Sequence, residues 1–397
     1  MAEKIKFKLG SYFLNNQVNF NFQLNRVIMW DGGRLEDLEP IANAINNSED
    51  WKKHMIALGD TALKENRIKN AIAYYRMSEF FMYDGDPDKI KYYQLATEMF
   101  YEYYKEYFSG GLVTRWNVPF DGVHLPVMHV CPKDTSKGTI LLHGGNDSYY
   151  EELFLPMLYC LENGFEVYLF EGPGQGGVTR LQNKSFTYQW EAPVKAVLDT
   201  FCINDVTIVG ASLGGMLAPR AAAFDKRIQR VVCWSVFPSF LDTALFSIPR
   251  AMRRLVRQML RLNIRYPINL IINKKMKEDQ TVHWAVHHGM YAYEANTPYE
   301  WLKKINNYQI YDIGDKITQD VLILAASNDH FIPTELYKKE IDAFTNAKSI
   351  TYRRFTAKEY GEAHCNVGNT KLVFDTIFSW ITQMHDKNGV IELSYKA

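Results

Sequence analysis

The sequence predicts an α/β protein: a mostly parallel β-sheet with helices on both faces, preceded by a helical segment and interrupted late by a helical insertion. Three observations predict it. Residues 1–111 carry apolar side chains at helical spacing. From residue 112 onward, short apolar β-type runs alternate with helical patterns. Between Ser235 and Val321, about 80 residues of helical composition stand where such a sheet usually has a short connection.

Composition bounds the function. The chain has 397 residues, enough for a main domain and one or two additions. Its 47% hydrophobic and 23% charged residues are an ordinary globular mix that can bury a large core. Lys+Arg and Asp+Glu are both 45, so no charge excess favours nucleic acid or an anionic membrane. The aromatic content of 14% serves core packing first and an aromatic-lined pocket second. Cysteines 131, 160, 202, 233 and 365 are odd in number and lack CxxC spacing, which argues against a disulfide framework or a zinc site. Cys365, beside His364, is read as an accessible thiol. The stretch MAEKIKFKLG lacks the apolar run of a signal peptide, and no run reaches the roughly 18 apolar residues of a membrane span. A cytoplasmic location is the expectation.

The elements follow in order. Trp51–Phe81 reads as a helical hairpin broken near Asn66–Ile68. Its Gly59, Ala62, Ala71 and Tyr75 hint at a tetratricopeptide unit, but no second copy follows at a fixed period. A third helix runs from about Asp88 to Tyr107 and ends at Gly110-Gly111. Leu112–Phe120 and Val123–Cys131 flank Asp121-Gly122 as a hairpin. Thr139–His143, Phe165–Phe170, Val206–Val209, Ile228–Ser235, Val321–Ala326 and Ser349–Phe355 read as strands covered on both faces. The expected domains are a helical N-terminal domain at 1–111 and a catalytic domain at 112–397, with a helical cap insertion at about 237–318. The arginines of PRAMRRLVRQMLRLNIR in that insertion read as a solvated or interdomain face, given the neutral balance.

Four motifs carry chemistry. Gly210-Ala211-Ser212-Leu213-Gly214 lies between a predicted strand and a predicted helix. That context suits a sharp turn that lifts a serine hydroxyl clear of the sheet. His143-Gly144-Gly145-Asn146-Asp147 follows TILLH and offers free backbone N–H groups nearby. The oxyanion donors expected are the N–H of Leu213 and that of Gly145, with Asn146 as the alternative. Asp329 follows VLILAA, where a carboxylate can support an imidazolium or cap the next helix. His364, in the loop GEAHC after the last strand, is the expected base, and His330 the alternative. The order nucleophile, acid, base across three strand ends is far more specific than any one motif. Glu171-Gly172-Pro173-Gly174-Gln175-Gly176 reads as a tight loop at the same face and lacks the Lys-Ser/Thr ending of a phosphate loop. His283, His287 and His288 cluster in the insertion as HWAVHH; His283 and His287 are four apart on an expected helix, but no Glu follows His283 in the zincin manner, and a non-metal role is favoured.

Together HGG, EGPGQG, GASLGG, Asp329 and GEAHC resemble the α/β-hydrolase superfamily over roughly residues 112–385. More narrowly, the chain resembles the branch with a helical N-terminal domain. That branch holds 2,6-dihydroxypseudooxynicotine hydrolase and the fungal hydrolases that shorten polyketide pigments. It is also similar to acylaminoacyl-peptidase-like proteins, though a propeller domain is absent. The resemblance implies a triad of Ser212, Asp329 and His364, covered by the N-terminal helices and the insertion. The function expected is serine hydrolysis of an ester or amide (acyl-peptide) bond in a small to medium substrate through an acyl-enzyme. The alternatives are hydrolysis of a carbon–carbon bond in a 1,3-dicarbonyl-type compound, or a non-catalytic binding protein on the same scaffold. No metal and no organic cofactor is implied. The expected partner is a small molecule or short acyl-peptide, with no nucleic acid and no membrane. A homodimer is an allowed assembly.

Overall fold

A computed structural model describes residues 4–394. Residues 1–3, which open the N-terminal stretch read above, and 395–397 lie outside the described residues. Eight strands form one sheet: β1 (Thr114–Phe120), β2 (Val123–Val130), β3 (Thr139–His143), β4 (Glu166–Phe170), β5 (Val206–Ala211), β6 (Ile228–Trp234), β7 (Asp320–Ala326) and β8 (Ser349–Phe355). Their order is β1-β2-β4-β3-β5-β6-β7-β8. Only β2 pairs antiparallel, with β1 and β4; the other neighbours are parallel. Asp121 and Gly122 both have positive φ, 43° and 81°, as a two-residue hairpin of this hand requires.

The apolar runs become central strands because both faces of the sheet are covered. On β7, Val321, Ile323 and Ala325 enter one core, while Leu322 and Leu324 enter the core on the opposite face. β5 and β7 are buried at every position. The edge strand β8 alternates instead, with Ile350 and Tyr352 exposed.

Before β1 the chain is helical, chiefly Val18–Arg26, Ser48–Lys64, Ile68–Ser78 and Pro87–Tyr103. The break in the expected hairpin falls at Asn66, with φ 57°, a conformation asparagine tolerates. Gly59 lets these two helices touch: a Cβ there would lie 2.4 Å from the Tyr75 ring. Between β6 and β7 the insertion forms five helices: Phe240–Ala244, Arg250–Arg261, Tyr266–Glu278, Gln280–Ala292 and Pro298–Ile305. The insertion meets the N-terminal helices at Trp284, whose indole stacks on Phe80 at 5.2 Å. Of the arginine-rich face, Arg257 pairs with Asp242 and Arg253 donates to the Ile248 carbonyl at 2.7 Å. Among the described residues no helix is long and apolar enough to cross a membrane.

Candidate active site

Ser212 follows β5, the central strand, at the turn into the helix Gly214–Phe224. Its φ is +57°, a strained value for a residue with a side chain. The turn is tight enough that a Cβ at Gly210 would lie 2.1 Å from the Gly214 carbonyl oxygen. The Ser212 N–H donates to the Trp234 carbonyl at 2.9 Å, tying the turn to β6. Ser212 stays partly exposed, whereas His364 is buried.

The three distant residues meet. His364 Nε2 lies 2.8 Å from Ser212 Oγ, and His364 Nδ1 lies 2.7 Å from Asp329 Oδ2. With its proton on Nδ1, donated to Asp329, the imidazole presents its Nε2 lone pair to the serine hydroxyl. Burial would lower the His364 pKa, but the Asp329 carboxylate outweighs it and lifts the ring well above its ordinary 6.5. Burial would raise the Asp329 pKa, and His364 in turn pulls it down.

Asp329 does two jobs with two oxygens. Oδ2 holds His364, while Oδ1 accepts the N–H groups of Phe331 and Ile332 at 2.9 and 3.0 Å. The expected choice between triad partner and helix cap therefore dissolves: the carboxylate closes its own turn and faces the histidine. The following helix, Glu335–Ala343, is flanked by Thr334 rather than Asp329. The His364 loop is pinned by Trp234 Nε1–H to the Cys365 carbonyl at 3.0 Å and Asn366 Nδ2–H to the Gly361 carbonyl at 2.8 Å. Cys365 is buried, which corrects the expectation of an accessible thiol, because its side chain turns toward the Trp234 carbonyl under the loop. The His330 ring lies 3.8 Å from that of Phe331, tilted by 39°, and stands 6.5 Å from the His364 ring; burial lowers its pKa to about 4.

The strand-end loop after β3 lies against the serine turn. A Cβ at Gly145 would sit 2.7 Å from the Leu213 nitrogen. Leu213 flanks the N-terminus of its helix, so its N–H has no helical acceptor. The Gly145 N–H, however, donates to Ser148 Oγ at 2.9 Å. That bond engages the donor expected first; the alternative named with it is the neighbouring Asn146 N–H. Gln175, in the glycine-rich loop after β4, donates to the carbonyls of Gly144 and Gly145 at 2.9 and 3.0 Å. Arg26, on the helix Val18–Arg26, pairs with Asp147 and Glu152 at 2.8 Å each. From the insertion, His288 Nε2 lies 2.9 Å from the Asn146 carbonyl, and Tyr293 donates its hydroxyl to Asn146 Oδ1 at 3.0 Å. Phe22 and Phe331 place aromatic rings 6.0 and 5.1 Å from His364. Sequence reasoning missed Phe22, Arg26, Ser148, Gln175, His288 and Tyr293 as parts of this site. His283 instead meets the Tyr83 hydroxyl at 2.6 Å, with the His287 ring 4.6 Å away.

A serine on a strained strand-to-helix turn, hydrogen-bonded to a histidine that in turn meets a carboxylate, is an arrangement found in hydrolases, and the comparisons agree on the class. The alpha/beta hydrolase fold family matches residues 140–358, more than half the chain, and the chain belongs to that family. "Hydrolase acrC" of Aspergillus aculeatus is 24% identical over 371 residues, 84% of each chain. "Hydrolyase poxO" of Penicillium oxalicum is 25% identical over 413 residues, 92% of this chain and 96% of its own. The crystal structure of the 2,6-dihydroxy-pseudo-oxynicotine hydrolase superimposes with a TM-score of 0.63 at 18% identity, covering 90% of this chain and 94% of that one. The fold and these relatives identify a hydrolase-type enzyme of the branch with helices before and within the sheet domain.

Proposed function

We propose that the protein is a serine hydrolase that cleaves an ester or amide bond of a small to medium, partly apolar substrate through an acyl-enzyme. One observation carries the reading: the continuous hydrogen-bonded chain from Ser212 Oγ through His364 to Asp329. His364 takes the Ser212 proton as the oxygen attacks the carbonyl carbon. The N–H groups of Leu213 and Asn146 receive the negative charge on the carbonyl oxygen. As the tetrahedral intermediate collapses, His364 returns the proton to the leaving group. Water, deprotonated by the same ring, then releases the acid and restores Ser212. Asp329 stabilises the imidazolium present at each tetrahedral stage. In this reading residues 1–111 and about 237–318 act as two covering units over the catalytic domain at 112–397, the rings of Phe22 and Phe331 making the acyl site apolar.

The test is a panel of p-nitrophenyl esters, acyl-amino-acid anilides and aryl diketones with purified protein. Turnover of the esters or anilides, with release of the acid, supports the reading. Cleavage confined to the diketones moves the same site to carbon–carbon bond hydrolysis. Turnover of none, with no fluorophosphonate label on Ser212, leaves a binding protein on this scaffold.

The base must be neutral to accept a proton, so activity is lost as pH falls through the His364 pKa. Because Asp329 lifts that pKa, the acid limb of kcat/KM should lie above pH 6.5. In Asp329→Asn the lifting charge is gone while burial remains, so the limb should move to lower pH even as the rate drops. Profiles of both proteins between pH 5 and about 9 check the sign. A limb that stays in place would separate Asp329 from the titration of the base.

A further inference from the structure

The whole chain is neutral, but the insertion is not. From Arg250 to Lys277 stand nine Arg and Lys residues and no Asp or Glu. They lie on the helices Arg250–Arg261 and Tyr266–Glu278 and in the turn between them. The first helix rests on the molecule by one edge, since Leu260 is its only buried residue. Arg250, Arg254, Arg257 and Arg261 recur at helical spacing along one side of it, and Met252, Leu255 and Met259 along the other. Arg257 is engaged by Asp242, but Arg250, Arg254 and Arg261 form no ion pair among the described residues. Met252 and Leu255 are exposed, and apolar exposure continues into the turn and the second helix: Leu262 is 61% exposed, Tyr266 78% and Leu270 58%. Tyr266 and Leu270 are one helical turn apart and share a side, which exposed Lys274 extends. A single exposed apolar side chain is ordinary; a run of them interleaved with unpaired cations marks a surface that meets something.

We propose that this outer face of the insertion docks on an anionic lipid surface, its apolar side chains entering between the headgroups and its arginines and lysines meeting the lipid phosphates. The proposal concerns binding and stands independently of the hydrolase reading. A lipid surface offers both chemistries at once, negative charge at the headgroups and apolar depth about 5–10 Å below. Long arginine and lysine stems let the charges reach the phosphates while the apolar side of the helix lies deeper. A second copy of the chain is a poorer fit. A two-fold contact through this face would set the nine cations against the same nine, with no acid between them. Docking of this kind needs no spanning helix. The expectation of no membrane partner rested on the charge balance of the whole chain, 45 against 45, which averages this patch away. The second helix packs against the helix Gln280–Ala292, whose His288 reaches the Asn146 carbonyl. The docking face is thus one helix away from the loop that lies against the Ser212 turn.

The experiment is co-sedimentation of the full chain with extruded vesicles, either phosphatidylcholine alone or phosphatidylcholine and phosphatidylglycerol in equal parts. The wild type is expected to bind the mixed vesicles at low salt. It should bind them at least about tenfold more weakly at about 0.5 M salt, and phosphatidylcholine alone more weakly by a similar factor. Arg254→Gln with Arg261→Gln removes two exposed cations and should weaken binding to the mixed vesicles about 10- to 30-fold. Tyr266→Ser with Leu270→Ser removes the exposed apolar pair and should cost a similar factor. Lys338→Gln with Lys371→Gln takes the same charge from exposed sites elsewhere and should leave binding within about threefold. Circular dichroism establishes that each variant is folded; where the apolar pair fails to fold, the arginine pair and the salt dependence decide alone. Binding by the folded arginine or apolar pair equal to the wild type overturns the proposal, as does equal binding to neutral and anionic vesicles. A lysine pair as weak as the arginine pair makes the binding an effect of net charge and overturns it too. So does a wild type that ignores both vesicles; if sedimentation velocity then shows a dimer that Tyr266→Ser with Leu270→Ser dissolves, the face belongs to a second copy.

Discussion

Ser212→Ala is expected to lower kcat on an activated ester by about 10⁴-fold or more and to abolish covalent labelling by a fluorophosphonate. The magnitude follows from what remains. In the proposed mechanism the N–H groups of Leu213 and Asn146 still polarise a bound carbonyl, and binding still orients it, which leaves a residual rate of about 10³–10⁴ over water. The removed hydroxyl is small and partly exposed, so the melting temperature should hold or rise slightly. Removing it also relieves none of the φ strain at +57°, since alanine carries the same Cβ. His364→Ala should cost a similar factor, and the double variant little more, because the two act as one unit. Additive losses would mean that His364 serves some other step, and a Ser212→Ala enzyme keeping a tenth of the rate would remove serine catalysis altogether.

The legible parts of the site were those written locally. A serine between a buried strand and a helix, a His-Gly-Gly after TILLH and an acid after VLILAA each announce themselves within ten residues. The sheet was legible for the same reason: continuous apolar runs on β5 and β7 reflect cover on both faces. The covering contacts are another matter. The helix Val18–Arg26 buries Asn19, Gln23, Asn25 and Arg26 along with Phe20, Phe22 and Leu24, so its covered surface mixes polar with apolar side chains and blurs the apolar periodicity that marks a helix. Arg26 meets Asp147 across 121 positions and His288 meets Asn146 across 142. Nothing at either end signals the other. At Gly145 the contact missed is a local one, since Ser148, three residues on, folds back to take its N–H. A Ser at that spacing is a turn signal that could have been read.

Arg26→Met should cost more stability than any surface ion pair could. An exposed pair contributes about 0–1 kcal/mol, because water and salt replace it. Arg26 is only 5% exposed, with Glu152 at 0% and Asp147 at 16%. Removing the cation leaves two carboxylates in a place water barely reaches, at a cost of about 3–5 kcal/mol. The two are not equally stranded. Glu152 keeps the Arg76 guanidinium at 3.1 Å, while Asp147, whose pKa Arg26 holds down against burial, loses its ion-pair partner. Asp147→Asn in the same chain should therefore recover part of the loss, and Glu152→Gln less. Urea denaturation of the single variant and the two double variants measures this as shifts in midpoint at constant slope. Turnover should fall with stability, because Asp147 adjoins Asn146 and its release loosens the oxyanion loop from the N-terminal side. A loss below about 1 kcal/mol would show that solvent reaches this cluster as it reaches a surface pair, and the N-terminal helix would then be a loose cover over the site instead of part of its frame.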